Sequence, residues 1–177
     1  MNNFWENELL PGYYDDIVFR GIKKKRGIQA CWHILTYTKV ANFVEESSNH
    51  LDYACGPGTL IGQFTNGNSI GVDLSSKQIN YANQTYKSKG NFKTLENYSF
   101  EKNVNHFDIV TILGLFEYLN DDDILELLNN IYDSLKDNGK VIATTPNYGG
   151  IMFLIDKALN FLGPVDYNLD NINKFSK

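Results

Sequence analysis

Apolar residues recur along the chain with two different periods, and their alternation predicts an order of elements. Roughly from Gly27 to Glu46 the spacing is helical, with Cys31, Ile34, Leu35, Ala41 and Val44 near one broad face. His50 to Ala54 (HLDYA) reads as a short buried strand, followed by a glycine cluster and then Leu60, Ile61 and Phe64, which suggest a short helix. Ser69 to Leu74 (SIGVDL) is a second strand ending in an acid. Ser76 to Lys87 is a helix, with Ile79, Ala82 and Tyr86 at helical spacing. Asn91 to Leu95 is a weak third strand, and Phe107 to Leu113 (FDIVTIL) a strong fourth, rich in β-branched residues. The clearest helix begins at Asp121, with acids in its first turn. Ile124, Leu127, Leu128, Ile131 and Leu135 lie on one face, and Gly139 is the expected stop. Lys140 to Thr145 is a fifth strand, ended by Pro146.

Strands alternating with helices of this length mean βαβ units. The expected fold class is therefore α/β: a doubly wound, Rossmann-like, mostly parallel sheet with helices on both faces and five identifiable strands. In such sheets a ligand binds beyond the carboxyl ends of the strands, near the point where strand order reverses. The residues just after each strand are thus the ones to inspect. They are Asp52 through Gly58 after the first, Asp73 after the second, Glu96 and Asn97 after the third, Gly114 through Tyr118 after the fourth, and Pro146 and Asn147 after the fifth.

Composition narrows the partner. At 177 residues, with 42% hydrophobic and 21% charged positions, the chain has the makings of one packed domain and not of a disordered tail. It divides into an N-terminal helical cap (1–48), a ligand-binding core (49–147) and a C-terminal helix and tail (148–177). A formal net charge of -5 disfavours a nucleic-acid partner, because phosphate binding needs a basic field. Two cysteines make no disulfide framework, the N-terminus does not read as a signal peptide, and no apolar run has the length of a membrane span. A soluble cytoplasmic protein is expected. The basic run Lys23 to Arg26 reads as a solvated helix entry. Residues 151–162 carry a wide apolar face; their single lysine makes a membrane-surface role unexpected, leaving a helix packed on the domain or a lid over an apolar acceptor. No metal ligand set is read, and oligomeric state is left open.

The glycine cluster decides among nucleotide ligands. A dinucleotide fingerprint needs glycines spaced G-x-G-x-x-G; Gly56 and Gly58 fit, but Ile61 occupies the third place and Gly62 comes one residue late. Asp52 would oppose a pyrophosphate on this loop, and no Gly-Lys-Ser/Thr follows for a Walker loop. A ligand with a ribose and an adenine, positive groups and no phosphate fits better, and S-adenosylmethionine is such a molecule. An acid at the end of strand two suits the ribose diol, and Asp73 lies 15 residues after Gly58, the length of one loop, one short helix and one strand.

Here the chain resembles a known family. LDYACGPGT followed by IGVDLS resembles the first two motifs of class I S-adenosylmethionine-dependent methyltransferases, and FDIVTILGLFEYL and LKDNGKVIATTPN resemble the fourth and fifth strand regions of the small-molecule, quinone-biosynthesis-like branch. The likeness runs from about His50 to Asn147. It implies that Asp52 orients the loop and the ligand's ammonium, that Ala54, Gly56 and Gly58 wrap the methionine part, and that Asp73 holds the ribose. It implies further that Leu74 packs on the adenine, that Glu96 with Asn97 meets the adenine amine, and that Leu113 and Gly114 flank the methionine. Ala54 replaces the first loop glycine of the family. The implied activity is methyl transfer to an O, N or C atom of a small molecule, apolar or lipid-like in the narrower form; a cofactor-binding domain without activity is the alternative. A base is needed only if the acceptor must lose a proton, and the candidates are His33, Glu117 and Tyr118. The Asp/Asn-Pro-Pro-aromatic motif of enzymes that methylate exocyclic base amines is replaced by Leu113-Gly114-Leu115-Phe116. Family members carry an antiparallel strand pair beyond strand five, which would need roughly 40 more residues. The expectation is thus a fragment or a shortened member, with strand five an exposed edge unless something covers it.

Overall fold

The computed structural model describes residue 6, residues 9–24 and residues 28–145, the side chains of residues 20–29 excepted. Lys25 and Arg26 of the basic run, Pro146, Asn147, the apolar face of 151–162 and the tail to Lys177 lie outside the described residues. Within them the chain forms α1 (Tyr13–Lys24), α2 (Ile28–Ala41), β1 (Asn49–Tyr53), α3 (Thr59–Gln63), β2 (Asn68–Asp73), α4 (Ser76–Thr85), β3 (Gly90–Thr94), β4 (Phe107–Leu113), α5 (Asp121–Ser134) and β5 (Leu135–Thr144). Single 3-10 turns stand at Leu95–Asn97, Phe100–Asn103 and Phe116–Tyr118.

The five strands form one sheet in the order β3-β2-β1-β4-β5, and every pairing is parallel. The doubly wound α/β class expected from the alternation of periods is what is observed. Strand order reverses between β1 and β4, which puts the crevice for a ligand at the ends of these two strands.

The two sheet faces are filled differently. On one, Leu51, Val72, Val110 and Ile112 pack with Leu127 and Ile131 of α5. On the other, Cys55, Ile61, Ile79, Ala82 and Phe92 form a second cluster beneath α3 and α4. The N-terminal segment is tied to that second side by polar contacts. The buried Asp15 carboxylate accepts from Tyr81 Oη at 2.9 Å, Tyr86 Oη at 2.6 Å and Gln63 Nε2 at 3.1 Å. The buried Gln78 amide accepts from Gly12 N and donates to Leu10 O, both at 3.1 Å.

Two expectations need correction. The clearest helix does not run to Gly139: α5 ends at Ser134, whose hydroxyl donates to Ile131 O at 2.8 Å, and Leu135 already pairs with Phe107 as the first residue of β5. Leu135 packs against the same core as Ile131, so helical spacing and strand entry put it in one environment and the period could not separate them. The face of α2 is also rotated. Ala30 and Val40 are buried and Val44 follows beyond the helix, while Cys31 and Leu35 are exposed.

Candidate functional site

Asp52 is the fourth residue of β1 and points to the α4 side, where burial is almost complete. Its Oδ1 accepts from Thr111 Oγ1 of β4 at 2.6 Å. Desolvation pushes its carboxyl up to about 7; the Thr111 hydrogen bond works against this and the Asp73 charge adds to it. Asp73 closes β2. Its Oδ2 accepts from Gly56 N and its Oδ1 from Ser75 N, each at 2.8 Å, and Ser75 in turn caps α4 by accepting from Gln78 N. Burial raises the Asp73 carboxyl, with backbone hydrogen bonds opposing. The role of holding the loop was expected of Asp52, yet the carboxylate bonded to the loop backbone is that of Asp73. The loop turns left-handed at Ala54, Gly56 and Gly58 (φ 63, 53 and 77°), which aims the Gly56 N–H at the end of β2. At Gly58, a Cβ would stand 2.5 Å from the Phe92 ring, so the start of α3 passes too close to β3 for any side chain.

No basic side chain is among the hydrogen-bond partners of Asp52 or Asp73 within the described residues. Among those residues, a buried acid near the end of β1 and a half-buried one at the end of β2 thus have no basic hydrogen-bond partner.

The aromatic side of the loop comes from the N-terminal helices. The Tyr14 ring lies 3.7 Å from where a Gly56 Cβ would be. His33 stands edge-on to Tyr14 at 5.3 Å, is tilted against Trp32 at 4.9 Å and stacks on Tyr37 at 5.9 Å. Burial lowers His33 to about 4, so its imidazole is neutral near pH 7. Glu6 accepts from Ser76 Oγ at 2.5 Å, and its charge adds to the raising of Asp73.

At the end of β4, Gly114 turns at φ 68° and its N–H donates to Thr144 O at 2.9 Å. Glu117 Oε1 faces Gly114, 3.4 Å from where a Cβ would be, and Oε2 is buried with no hydrogen-bond partner among the described residues. Burial raises the Glu117 carboxyl. Tyr118 closes the same 3-10 turn, its N–H donating to Leu115 O at 3.0 Å. Leu113 is half-buried, and Leu74, Glu96 and Asn97 are exposed around the ends of β2 and β3, Asn97 Nδ2 donating to Thr94 Oγ1 at 2.8 Å.

Thus the residues expected after β1, β2 and β4 gather at the carboxyl ends of those strands, while among the described residues Tyr14 stands between His33 and the loop. Sequence reasoning passed over Tyr14, Thr111 and His50. His50 lies two residues before Asp52, so period-two alternation alone puts both on one face.

Residues 51–139 match the family described as Methyltransferase domain. No curated protein matches the chain. Among solved structures, geranyl diphosphate methyltransferase in complex with GPP and sinefungin is similar at TM-score 0.60 and 13% identity, covering 89% of this chain and 70% of that one. The PH0226 protein from Pyrococcus horikoshii is similar at TM-score 0.58 and 19% identity, covering 75% and 62%. The 4+2 cyclase SpnF is similar at TM-score 0.54 and 18% identity, with 66% of this chain matched to 45% of its own length. The chain thus spans under half of that last relative. Sheet order, the acids closing β1 and β2 around a left-handed glycine loop, and the family match together make this chain a member of the class I S-adenosylmethionine-dependent methyltransferases.

Proposed function

We propose that this chain binds S-adenosylmethionine across the ends of β1, β2 and β4 and transfers its methyl group to an O, N or C atom of a small molecule. The observation that carries this reading is the pair of carboxylates, Asp52 buried and Asp73 half-buried, without a basic hydrogen-bond partner among the described residues, on either side of a loop that turns left-handed at Ala54, Gly56 and Gly58. Their raised protonation equilibria are what a site built for a cationic ligand looks like without one. When bound, S-adenosylmethionine supplies a methyl group already activated on a sulfonium.

In this reading Asp73 accepts from the ribose hydroxyls with the lone pairs its two backbone donors leave free. Asp52 faces the ammonium, and the backbone of Ala54, Gly56 and Gly58 wraps the methionine part. Leu74 offers 45% of its surface to the adenine. Glu96 with Asn97 meets the adenine amine, and Leu113 and Gly114 flank the methionine moiety. The protein's main contribution is alignment and exclusion of water. Where the acceptor must lose a proton, Glu117 is the first candidate, because burial raises its carboxyl and one of its oxygens lacks a partner. Tyr118 beside it is the second. His33, neutral but weakly basic in its aromatic cage, is the third. The narrower reading of an apolar or lipid-like acceptor is supported by the apolar pattern of residues 151–162. A second reading, a cofactor-binding domain that transfers no methyl group, is favoured by one observation: SpnF, of the same fold, is named for a cyclisation.

Calorimetry with S-adenosylmethionine and with NAD tests the ligand; binding of NAD alone would overturn the reading. Asp73→Ala is expected to weaken S-adenosylmethionine at least about tenfold, and Glu117→Gln to lower turnover about 10- to 100-fold with affinity unchanged. Release of S-adenosylhomocysteine in a metabolite extract separates transfer from mere binding.

A further inference from the structure

Four polar side chains cross the middle of the sheet on its α4 side, where apolar residues would ordinarily sit. Ser69 of β2 is in register with His50 of β1, and Thr111 of β4 is in register with Asp52 of β1. All four are buried, His50 and Thr111 completely. Ser69 Oγ lies 3.0 Å from His50 Nδ1, Thr111 Oγ1 lies 2.9 Å from His50 Nε2, and Thr111 Oγ1 lies 2.6 Å from Asp52 Oδ1. They form one continuous file that ends on the acid facing the glycine loop.

We propose that His50 is a positioning residue for S-adenosylmethionine: through Thr111 it fixes the direction of the hydroxyl that faces Asp52, and so holds Asp52 as the carboxylate a cationic ligand needs. The inference rests on the ligand reading above. The Thr111 hydroxyl has one proton to give. At 2.6 Å from Asp52 it has the length of a bond to an ionised oxygen, so the proton points there. Thr111 then has only lone pairs for His50, which makes Nε2 the protonated nitrogen, and Nδ1 accepts from Ser69. Without the Nε2–H, the Thr111 hydroxyl can turn to its other acceptor, Leu51 O at 3.5 Å, and Asp52 loses the one side-chain donor it has among the described residues.

The file also has a reverse setting that satisfies every member. If Asp52 gains one proton and donates it to Thr111, the Thr111 hydroxyl donates to His50 Nε2. The proton on the imidazole is then on Nδ1, which donates to Ser69, and the Ser69 hydroxyl turns to Gly67 O at 3.3 Å. The imidazole exchanges one N–H for the other and keeps its own proton count. It stays neutral throughout, since burial holds His50 near 4. The groups around Asp52 that bear on its charge are Asp73 from β2, the buried Cys55 thiol from the loop, the Thr111 hydroxyl from β4, which does not titrate, and His50 on its own strand.

Nitrogen-15 NMR of the histidine-labelled, unliganded chain of 177 residues tests the file directly. The expected result is an Nε2–H tautomer at pH 8 that gives way to Nδ1–H on acidification, with the midpoint of the Asp52 carboxyl carbon. An Nδ1–H tautomer at pH 8 overturns the proposal. In calorimetric titrations across pH 6 to 9, His50→Leu is expected to weaken S-adenosylmethionine about two- to fivefold at pH 7 and to raise the midpoint of the pH dependence by about half to one unit. His50→Gln, which keeps a donor toward Thr111, is expected to restore it. A loss equal at every pH, or none, overturns the positioning role. If the unsubstituted chain binds no S-adenosylmethionine at any pH, the ligand reading fails and the proposal with it; binding with an unmoved midpoint sinks the proposal alone.

Discussion

On the α5 side of the sheet the strands present Leu51, Val72, Val110 and Ile112 to Leu127 and Ile131; on the α4 side β1, β2 and β4 present His50, Asp52, Ser69 and Thr111. The first set needs only close neighbours. The second is stable only while each hydroxyl and ring nitrogen points the right way, and it still carries the desolvation that raises Asp52 and depresses His50. The comparison teaches that one face of the sheet is lined by apolar strand residues, whereas on the other a polar file shares the face with the apolar cluster of α3 and α4, the five residues of β1 serving both.

The largest expected effect breaks the apolar side. Ile131→Ala removes a side chain that is 1% exposed and is expected to destabilise the fold by about 3 kcal/mol. The urea midpoint should fall accordingly, while S-adenosylmethionine affinity under native conditions stays within about twofold. An affinity loss as large as the stability loss would show the two faces to be one unit.

The next effect has the opposite sign and comes from the polar side. The folded-state carboxyl of Asp52, near 7, lies above its unfolded value. Between about pH 4 and 7 the folded protein therefore holds a proton the unfolded chain releases, stability falls as pH rises through that window, and the full penalty is present above it. Asp52→Asn removes the penalty and is expected to stabilise the chain by on the order of 2 kcal/mol at pH 8, with little change near pH 4. His33 and His50 work the other way. Their folded values, near 4, lie below the unfolded one, so stability is lost as pH falls from about 6.5 toward 4. In the natural chain the opposed slopes offset one another; in the Asp52→Asn variant thermal midpoints should drop more steeply on acidification. The same variant is expected to bind S-adenosylmethionine far more weakly, and retained affinity would remove Asp52 from the site.

Much of this arrangement was legible in the sequence, for identifiable reasons. Short apolar and β-branched runs followed by an acid or a glycine located β1, β2 and β4 and the residues at their ends, because a parallel sheet delivers all its carboxyl termini to one edge. Two things were not legible. The end of α5 was hidden because Leu135 is buried against the same core in either conformation. The polar file and the Asp15 contacts to Tyr81 and Tyr86 were hidden because they join residues 19 to 71 positions apart, and no local spacing encodes such a meeting. The face of α2 was misjudged for a related reason: Tyr14 and Phe64, which come from outside the helix, draw His33 and Tyr37 inward, and Cys31 and Leu35 face out.

The smallest effect sharpens the comparison at the loop both faces lead into. Ala54 holds φ 63°, a left-handed conformation that costs an L-residue about 1 kcal/mol or more. Ala54→Gly relieves that strain but adds freedom to the unfolded chain, so the net gain should be about 0.5 kcal/mol, read as a small rise in the thermal midpoint. If the loop meets its ligand through backbone groups alone, affinity is expected not to change. A measurable loss would mean that the alanine methyl touches the ligand, and the substitution at the family's first loop glycine would then be a specificity feature of this chain and not merely tolerated strain.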